Sequence, residues 1–430
     1  MVDTKLDQQD LERAQQRALV RYRHDRLRRL LRWARKTPFY KRHFGHIWTE
    51  VAVKDLSKLP LTSKQDLVRS IGLARFPLNC WCPVDRLAFI GQTGGPGTET
   101  LAQSGLRPLP IPMRHVDLAR RAFVAKRAFR MVSDKPLGPT GLLHEVSSSI
   151  VHQAMLRGLS GSSPFTFGRG ATVRHVIETL GRLRLDNLVT HPTYATFLKT
   201  LEQDSGTELK FKRLFLWGEV GGSVGPVRDR LSKAFEAKVH DIYAMQELGV
   251  LAAECKVGSG LHGFEDQFVY EVIDPSTGEI QDDGKPGELI VTDLHRSAFP
   301  LIRYRTGDIT SIKRDRCKCG RTHLRLSGIM GRVDEVITGE GGSGAYPADI
   351  ITMLENNPHV TGVFRIVPGS GTFIETKENK QMAQYYLDKL GSPPGKVIFE
   401  RVLPRFPHRT VHIVDARYEP LLKEQIGRER

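Results

Sequence analysis

The sequence has no apolar stretch long enough to span a bilayer, which argues against a transmembrane helix. Its opening decapeptide, MVDTKLDQQD, is acidic and polar, so no secretory signal is expected there. Cysteine is scarce and odd in number, five in 430 residues. Without an export signal, that count favours reduced thiols or metal ligands over a disulfide framework. Internal repeats and long low-complexity charged runs are also missing. These absences point to a soluble cytoplasmic protein with no membrane partner.

Acidic residues are in deficit: 48 Asp and Glu face 64 Lys and Arg, a formal charge of +16. Such a balance favours polyanionic partners. The densest basic run, RYRHDRLRRLLRWARK (21–36), lacks the interleaved aromatics of a nucleic-acid reader. Leu27, Leu30, Leu31 and Ala34 recur in it at helical spacing. It therefore reads as an amphipathic helix with a solvated basic face, and no nucleic-acid partner is expected. An acidic carrier protein or a phosphate-rich cofactor would suit the same charge.

What is present suffices for a large core, since 40% of residues are hydrophobic and the length suggests two or three domains. A helix is expected over 8–36, followed by the KTPFY turn. A Thr-Ser N-cap in DLSKLPLTSKQDLVRS (55–70) predicts another. From about 85 to 250, apolar strands such as RLAFI, DNLVTH and RLFLWG alternate with helical patterns, which predicts parallel α/β layers. Residues 263–315 change to strands separated by Pro, Gly and Asp turns, a β-rich subdomain. The expected junction falls near GRVDE (331–335). It divides an N-terminal domain, 1–330, from a C-terminal one, 331–430.

Several polar residues are candidates for chemistry. Tyr243 and Glu247 lie four apart in DIYAMQE; an aromatic face can stack on a purine and a carboxylate can hold Mg²⁺. A core tyrosine beside a surface glutamate is the plainer alternative. Asp308 follows a glycine turn in RYRTGD, where a carboxylate can accept both ribose hydroxyls. Arg332 in GRVDE is a fork donor suited to ribose or phosphate. The glycines of FIGQTGGPGTET (89–100) suit either an N–H nest for an anion or a structural turn. Cys317-x-Cys319 and Cys255-x₆-His262 supply four soft donors, enough for closed tetrahedral zinc. Cys80-x-Cys82 is a competing pair.

Taken in order, these stretches resemble the phenylacetate–CoA ligase branch of the adenylate-forming superfamily. The resemblance runs from LRRLLRWARKTPFYKRHF through LPLTSKQDL to LPRFPHRTVHIVDAR. Its most specific section is GLHGFEDQFVYEVIDPSTGEI with GELIVTDLHRSAFPLIRYRTGDIT, then CKCGRTHLRLSGIMGRVDEVI. It implies that Tyr243 stacks on adenine near Asp241, and that Gly218 and Glu219 of WGE frame the base. Glu247 would bind Mg²⁺, and Asp308 and Arg332 the ribose. Asp334 would be the hinge of a mobile C-terminal domain, and HPTYA (191–195) would lie beside the acyl pocket. The resemblance also favours Cys255, His262, Cys317 and Cys319 as the zinc set.

Two parts of the ATP machinery depart from that pattern. The family's SSGTTGKP-type phosphate loop is replaced by Gln92, Thr93, Gly94, Gly95, Pro96, Gly97, Thr98 and Glu99. Most hydroxyls are gone, proline removes an N–H, Thr98 replaces the lysine and Glu99 adds an anion. The catalytic lysine of the C-terminal motif falls on Arg409, which keeps the charge on a larger planar group. The expected fold is thus α/β and adenylate-forming: a large N-terminal domain of layered sheets plus a β-subdomain, and a small mobile C-terminal α+β domain. The expected enzyme handles a carboxylic acid, of the aryl class, as acyl-adenylate or acyl thioester. ATP or AMP, Mg²⁺, CoA and structural Zn²⁺ are its cofactors, with CoA or an acyl carrier protein as acceptor and a homodimer as assembly. An ATP-independent acyltransferase between acyl-CoA and a carrier, and a non-catalytic nucleotide- or acyl-binding protein, are the alternatives.

Overall fold

The computed structural model describes residues 16–45, 51–71, 79–92, 109–133, 135–143, 150–159, 162–166, 173–202, 205–338, 344–356, 360–367, 371–376 and 397–400. The chain divides into two compact units. One comprises 1–136, 146–161 and 242–327; the other comprises 137–145, 162–241 and 328–430.

In the first unit, the basic run forms the helix Gln16–Ala34. Leu19, Leu27, Leu30, Leu31 and Ala34 are buried, while Arg17, Arg21, Arg28, Arg29 and Arg32 are exposed. This is the amphipathic pattern expected of it. Residues 8–15 of the expected helix lie outside the described residues. Thr37 caps the next helix, Pro38–Phe44, by accepting from the Tyr40 N–H at 3.2 Å. The cap read at Thr-Ser is made by Ser63: its Oγ accepts from the Asp66 N–H, and Asp66 reaches back to the Ser63 N–H. That reciprocal pair satisfies two orphan donors at the start of Lys64–Ile71.

The β-rich stretch supplies three antiparallel strands, Phe268–Ile273, Gly287–Asp293 and Tyr304–Thr310. A second antiparallel run in this unit joins Gly249–Glu254, Leu261–Gly263, Arg325–Leu326 and Ile312–Lys313. The RLAFI stretch departs from the expected parallel layers. Its strand, Phe89–Gln92, pairs antiparallel with Pro110–Met113 in a two-stranded sheet. Pro110 and Pro112 have no N–H to give, which keeps that strand out of a fully bonded sheet.

The second unit carries the parallel α/β layers. Strands Thr140–Leu142, Pro164–Thr166, Asn187–Thr190 and Arg213–Trp217 run parallel, in the order 164–166, 140–142, 187–190, 213–217. Helices Val173–Leu183, Pro192–Glu202 and Gly225–Phe235 connect or follow them. Their apolar faces share one core, including Ile177, Leu180, Leu188, Leu214, Leu231 and Phe235. Helix Pro347–Glu355 adds Ile350, Ile351 and Leu354 to that core. Arg230 fastens it with a fork onto Glu355, Nε and Nη2 each 2.7 Å from a carboxylate oxygen. The strand Lys238–Met245 contains the boundary between the units, at Asp241 and Ile242.

Candidate active site and metal centre

In the first unit, Tyr243 and Asp308 meet. Tyr243 lies in the strand Lys238–Met245 and donates its hydroxyl proton to Asp308 Oδ2 at 2.6 Å. Both residues are buried. Gly307, at φ +76°, supplies the left-handed backbone that turns the strand just before Asp308. Arg303 holds the start of the RYRTGD segment by donating to the carbonyls of Ser57 and Leu59 and pairing with Glu271.

Glu247 sits in the turn that follows the same strand. Its Oε1 lies 3.9 Å from Lys64 Nζ and accepts from the Tyr304 hydroxyl at 3.4 Å. Its backbone carbonyl is clamped by Arg121 Nη2 at 2.6 Å and by Arg296 Nη1. Its Oε2 takes no hydrogen bond among the described residues. One carboxylate with an oxygen to spare matches the way Mg²⁺ is usually held, by one or two carboxylates plus phosphates.

The second unit carries Gly218, Glu219, Asp241, Arg332 and Asp334. Gly218 has φ +79°, and a Cβ there would collide with the His191 ring. His191 stacks on Trp217 and donates from Nδ1 to the Trp217 carbonyl at 2.8 Å. Glu219 Oε2 accepts from both the N–H and the hydroxyl of Thr193. The HPTYA and WGE segments are therefore one hydrogen-bonded cluster. Asp241 accepts from Ser223 Oγ. Gly222 leaves the space that the Asp241 carboxylate occupies, because a Cβ there would overlap it. Arg332 Nε pairs with Asp334 Oδ1 at 3.3 Å, and the Arg332 N–H donates to Glu335.

Sequence reasoning overlooked Thr193, Ser223, Lys64 and Tyr304, along with Arg121 and Arg296. All but Arg121 and Ser223 stand inside stretches already quoted, such as HPTYA and RYRTGD, but residue type and spacing do not mark their partners. Gln92 ends a strand, while Thr93, Gly94, Gly95, Gly97, Thr98 and Arg409 lie outside the described residues.

The four soft donors converge in the first unit. Cys255 follows the strand Gly249–Glu254, and His262 lies in the next, Leu261–Gly263. Cys317 and Cys319 come from the turn preceding Arg325–Leu326, whose Arg325 pairs in register with His262. Their donor atoms all lie within 4.8 Å of one another. Cys255 Sγ is 3.9 Å from Cys317 Sγ, and Cys319 Sγ is 3.5 Å from His262 Nε2. Tetrahedral zinc with bonds of about 2.3 Å to sulfur and about 2.0 Å to nitrogen has edges of about 3.8 and 3.5 Å. The donor set fits the ion. Burial pushes the Cys255 thiol up to about 11. Burial also works against Cys317, but hydrogen bonds from the Cys319 backbone and from Ser259 outweigh it, leaving that thiol below its ordinary value. The rival pair does not join the group. Cys80 Sγ faces the Cys82 carbonyl at 3.5 Å instead.

No family model matches the chain. Full-length relatives do. It is 26% identical over 438 residues to a phenylacetate–coenzyme A ligase of Thermus thermophilus, covering 98% of this chain and 93% of that one. The namesake from Escherichia coli is 27% identical over 387 residues, with 84% and 82% covered. Among solved structures, a 2-hydroxyisobutyryl-CoA ligase in its postadenylation state superposes with a TM-score of 0.83 at 21% identity, covering 98% and 94%. The fold is that of the adenylate-forming CoA ligases. In sequence the chain is phenylacetate–CoA ligase-like, as the motif order indicated.

Proposed function

We propose that the chain is an acid–thiol ligase-like enzyme that carries a carboxylic acid, of the aryl class, as acyl-adenylate and acyl thioester to a thiol. The carrying observation is the buried Tyr243–Asp308 hydrogen bond. It fixes, in one unit, an aromatic ring for adenine beside a carboxylate for the ribose. For the second unit the family pattern assigns Arg332 to the ribose and Gly218, Glu219 and Asp241 to the base. In the first half-reaction a carboxylate oxygen attacks the α-phosphorus of ATP and pyrophosphate leaves. In the second, the thiol sulfur attacks the acyl carbon and AMP leaves, with CoA as the acceptor.

Mg²⁺ bound at Glu247 would neutralise phosphate oxygens. Lys64, at 3.9 Å from the same carboxylate, adds a fixed positive charge on that side. In sequence, the segment 92–98 and Arg409 fall where the family carries the phosphate cradle and the lysine. Cys255, His262, Cys317 and Cys319 hold a structural zinc, since four protein donors leave no open position for chemistry. Residues 331–430 act as the C-terminal domain, hinged at Asp334.

The altered loop and Arg409 favour a second reading, acyl transfer from acyl-CoA to an acidic carrier without ATP. Pyrophosphate exchange against a panel of aromatic and aliphatic acids tests the first reading. Acid-dependent exchange supports it. Silence across the panel, together with acyl transfer to a carrier seen by mass spectrometry, would move the assignment to the second.

A further inference from the structure

Behind the Glu247 turn, in the first unit, lies a small cavity of about 20 Å³ lined by Asp117, Arg120, Arg121, Asp293, His295 and Arg296 among others. Arg296 is 2% exposed and Arg121 6%. Each gives one hydrogen bond, to the Glu247 carbonyl, and Arg296 also lies over the Phe299 ring. Neither makes an ion pair among the described residues. Arg121 Nη1 and Arg296 Nε and Nη2 are fully buried with no hydrogen-bond partner. A buried guanidinium left in that condition costs several kcal/mol, on the order of an unpaired internal charge.

The carboxylates nearby do not answer this need. Asp117 spends Oδ1 on the Ser297 N–H and hydroxyl and Oδ2 on the Arg114 N–H. Asp293 Oδ1 accepts from the His295 N–H. Burial raises Asp293 above its ordinary value, against the opposing pull of Arg121 and Arg296. His295 is held neutral, foremost by burial and then by Arg120 and Arg26. The Glu247 carboxylate faces Lys64. Three arginines against two aspartates leave one positive charge in the cavity.

We propose that this cavity binds one compact monovalent anion of halide size, seated on the inward N–H groups of Arg121 and Arg296 with Arg120 at its side. The volume is just above what one water needs, so carboxylates, phosphates and nucleotides are too large. A single negative charge completes the balance, and the exposed donors give it charge-assisted hydrogen bonds. The anion would also brace the two arginines that clamp Glu247. The site does not depend on the ligase reading, because every group in it belongs to the resting chain.

Crystals of the full chain grown in sodium bromide should show anomalous scattering between the Arg121 and Arg296 guanidinium groups. In solution, chloride should raise Tm saturably over gluconate at matched ionic strength. Arg120→Gln, a half-exposed position whose loss should leave folding intact, should raise the half-saturating chloride concentration about tenfold, the loss of one charge-assisted contact. Arg296→Gln should abolish the chloride response; should it fail to fold, the Arg120 variant and the bromide signal still decide. No bromide peak, an ordered water in its place, or equal Tm in chloride and gluconate would overturn the proposal.

Discussion

Tyr243 Oη reaches Asp308 Oδ2 across 2.6 Å, joining two residues 65 positions apart. Both are buried, so the bond stands in for water lost from a desolvated carboxylate. Tyr243→Phe keeps the ring and deletes the donor. It should destabilise the fold by about 1–3 kcal/mol, read from the shift in denaturation midpoint. AMP affinity by calorimetry should fall about tenfold, while Tyr243→Ala, which also removes the stacking face, should lose more. Equal affinities for the two variants would show that the ring does not meet the base.

Chelator-washed protein should retain about one zinc per chain, measured by elemental analysis. Cys317→Ser should lose it and lower Tm. A folded, metal-free wild type would sink the zinc assignment.

Arg409→Lys should raise the rate of pyrophosphate exchange, by less than the roughly 10²–10³-fold that one transition-state donor commonly supplies. The segment 92–99 is unaltered in that variant, so full recovery is not expected. Wild-type exchange already at ordinary enzymatic rates would show that both departures are tolerated.

His240 gives a pH signature. Burial first, then Arg228, Arg213 and Lys238, lower its pKa to about 4, and its ring packs on Phe215. The unfolded chain takes up this proton below about 6.5 while the folded one does not until about 4. Stability is therefore full above 6.5 and declines as pH falls towards 4, by up to about 3 kcal/mol. His240→Phe should flatten that part of the curve in urea titrations between pH 7 and 4. An unchanged slope would contradict it.

Gly222→Ala should displace Asp241, because the added methyl takes the space of its carboxylate. Nucleotide binding should weaken while zinc content stays the same.

The parts legible in sequence were those whose chemistry is written in residue type and spacing. Cys255, His262, Cys317 and Cys319 advertise themselves as donors, and alternating strands and helices from Thr140 to Phe235 announce parallel layers. Thr193 was not legible as the partner of Glu219, because the contact depends on how a helix start meets a strand-end turn, 26 residues apart. Arg121 and Arg296 were hidden for another reason. Arg121 sits in a helix rich in surface-like arginines, and only the fold reveals that its head is buried. The antiparallel turn of Phe89–Gln92 was missed because a short apolar run carries no mark of its partner's direction.

The sulfur and imidazole cluster bridges positions 62 residues apart at Cys255 and Cys317. A metal joining them would close that length of chain into a ring through its coordination bonds, which removes conformational freedom from the denatured ensemble. For a loop of this size the chain-entropy estimate is about 4 kcal/mol. A disulfide could impose the same constraint only where oxidants prevail, whereas thiolate coordination survives among reductants. Loaded with zinc, the cluster would also be a staple whose strength follows zinc availability, so a chain made under zinc starvation should be more readily cut by proteases around its β-rich region.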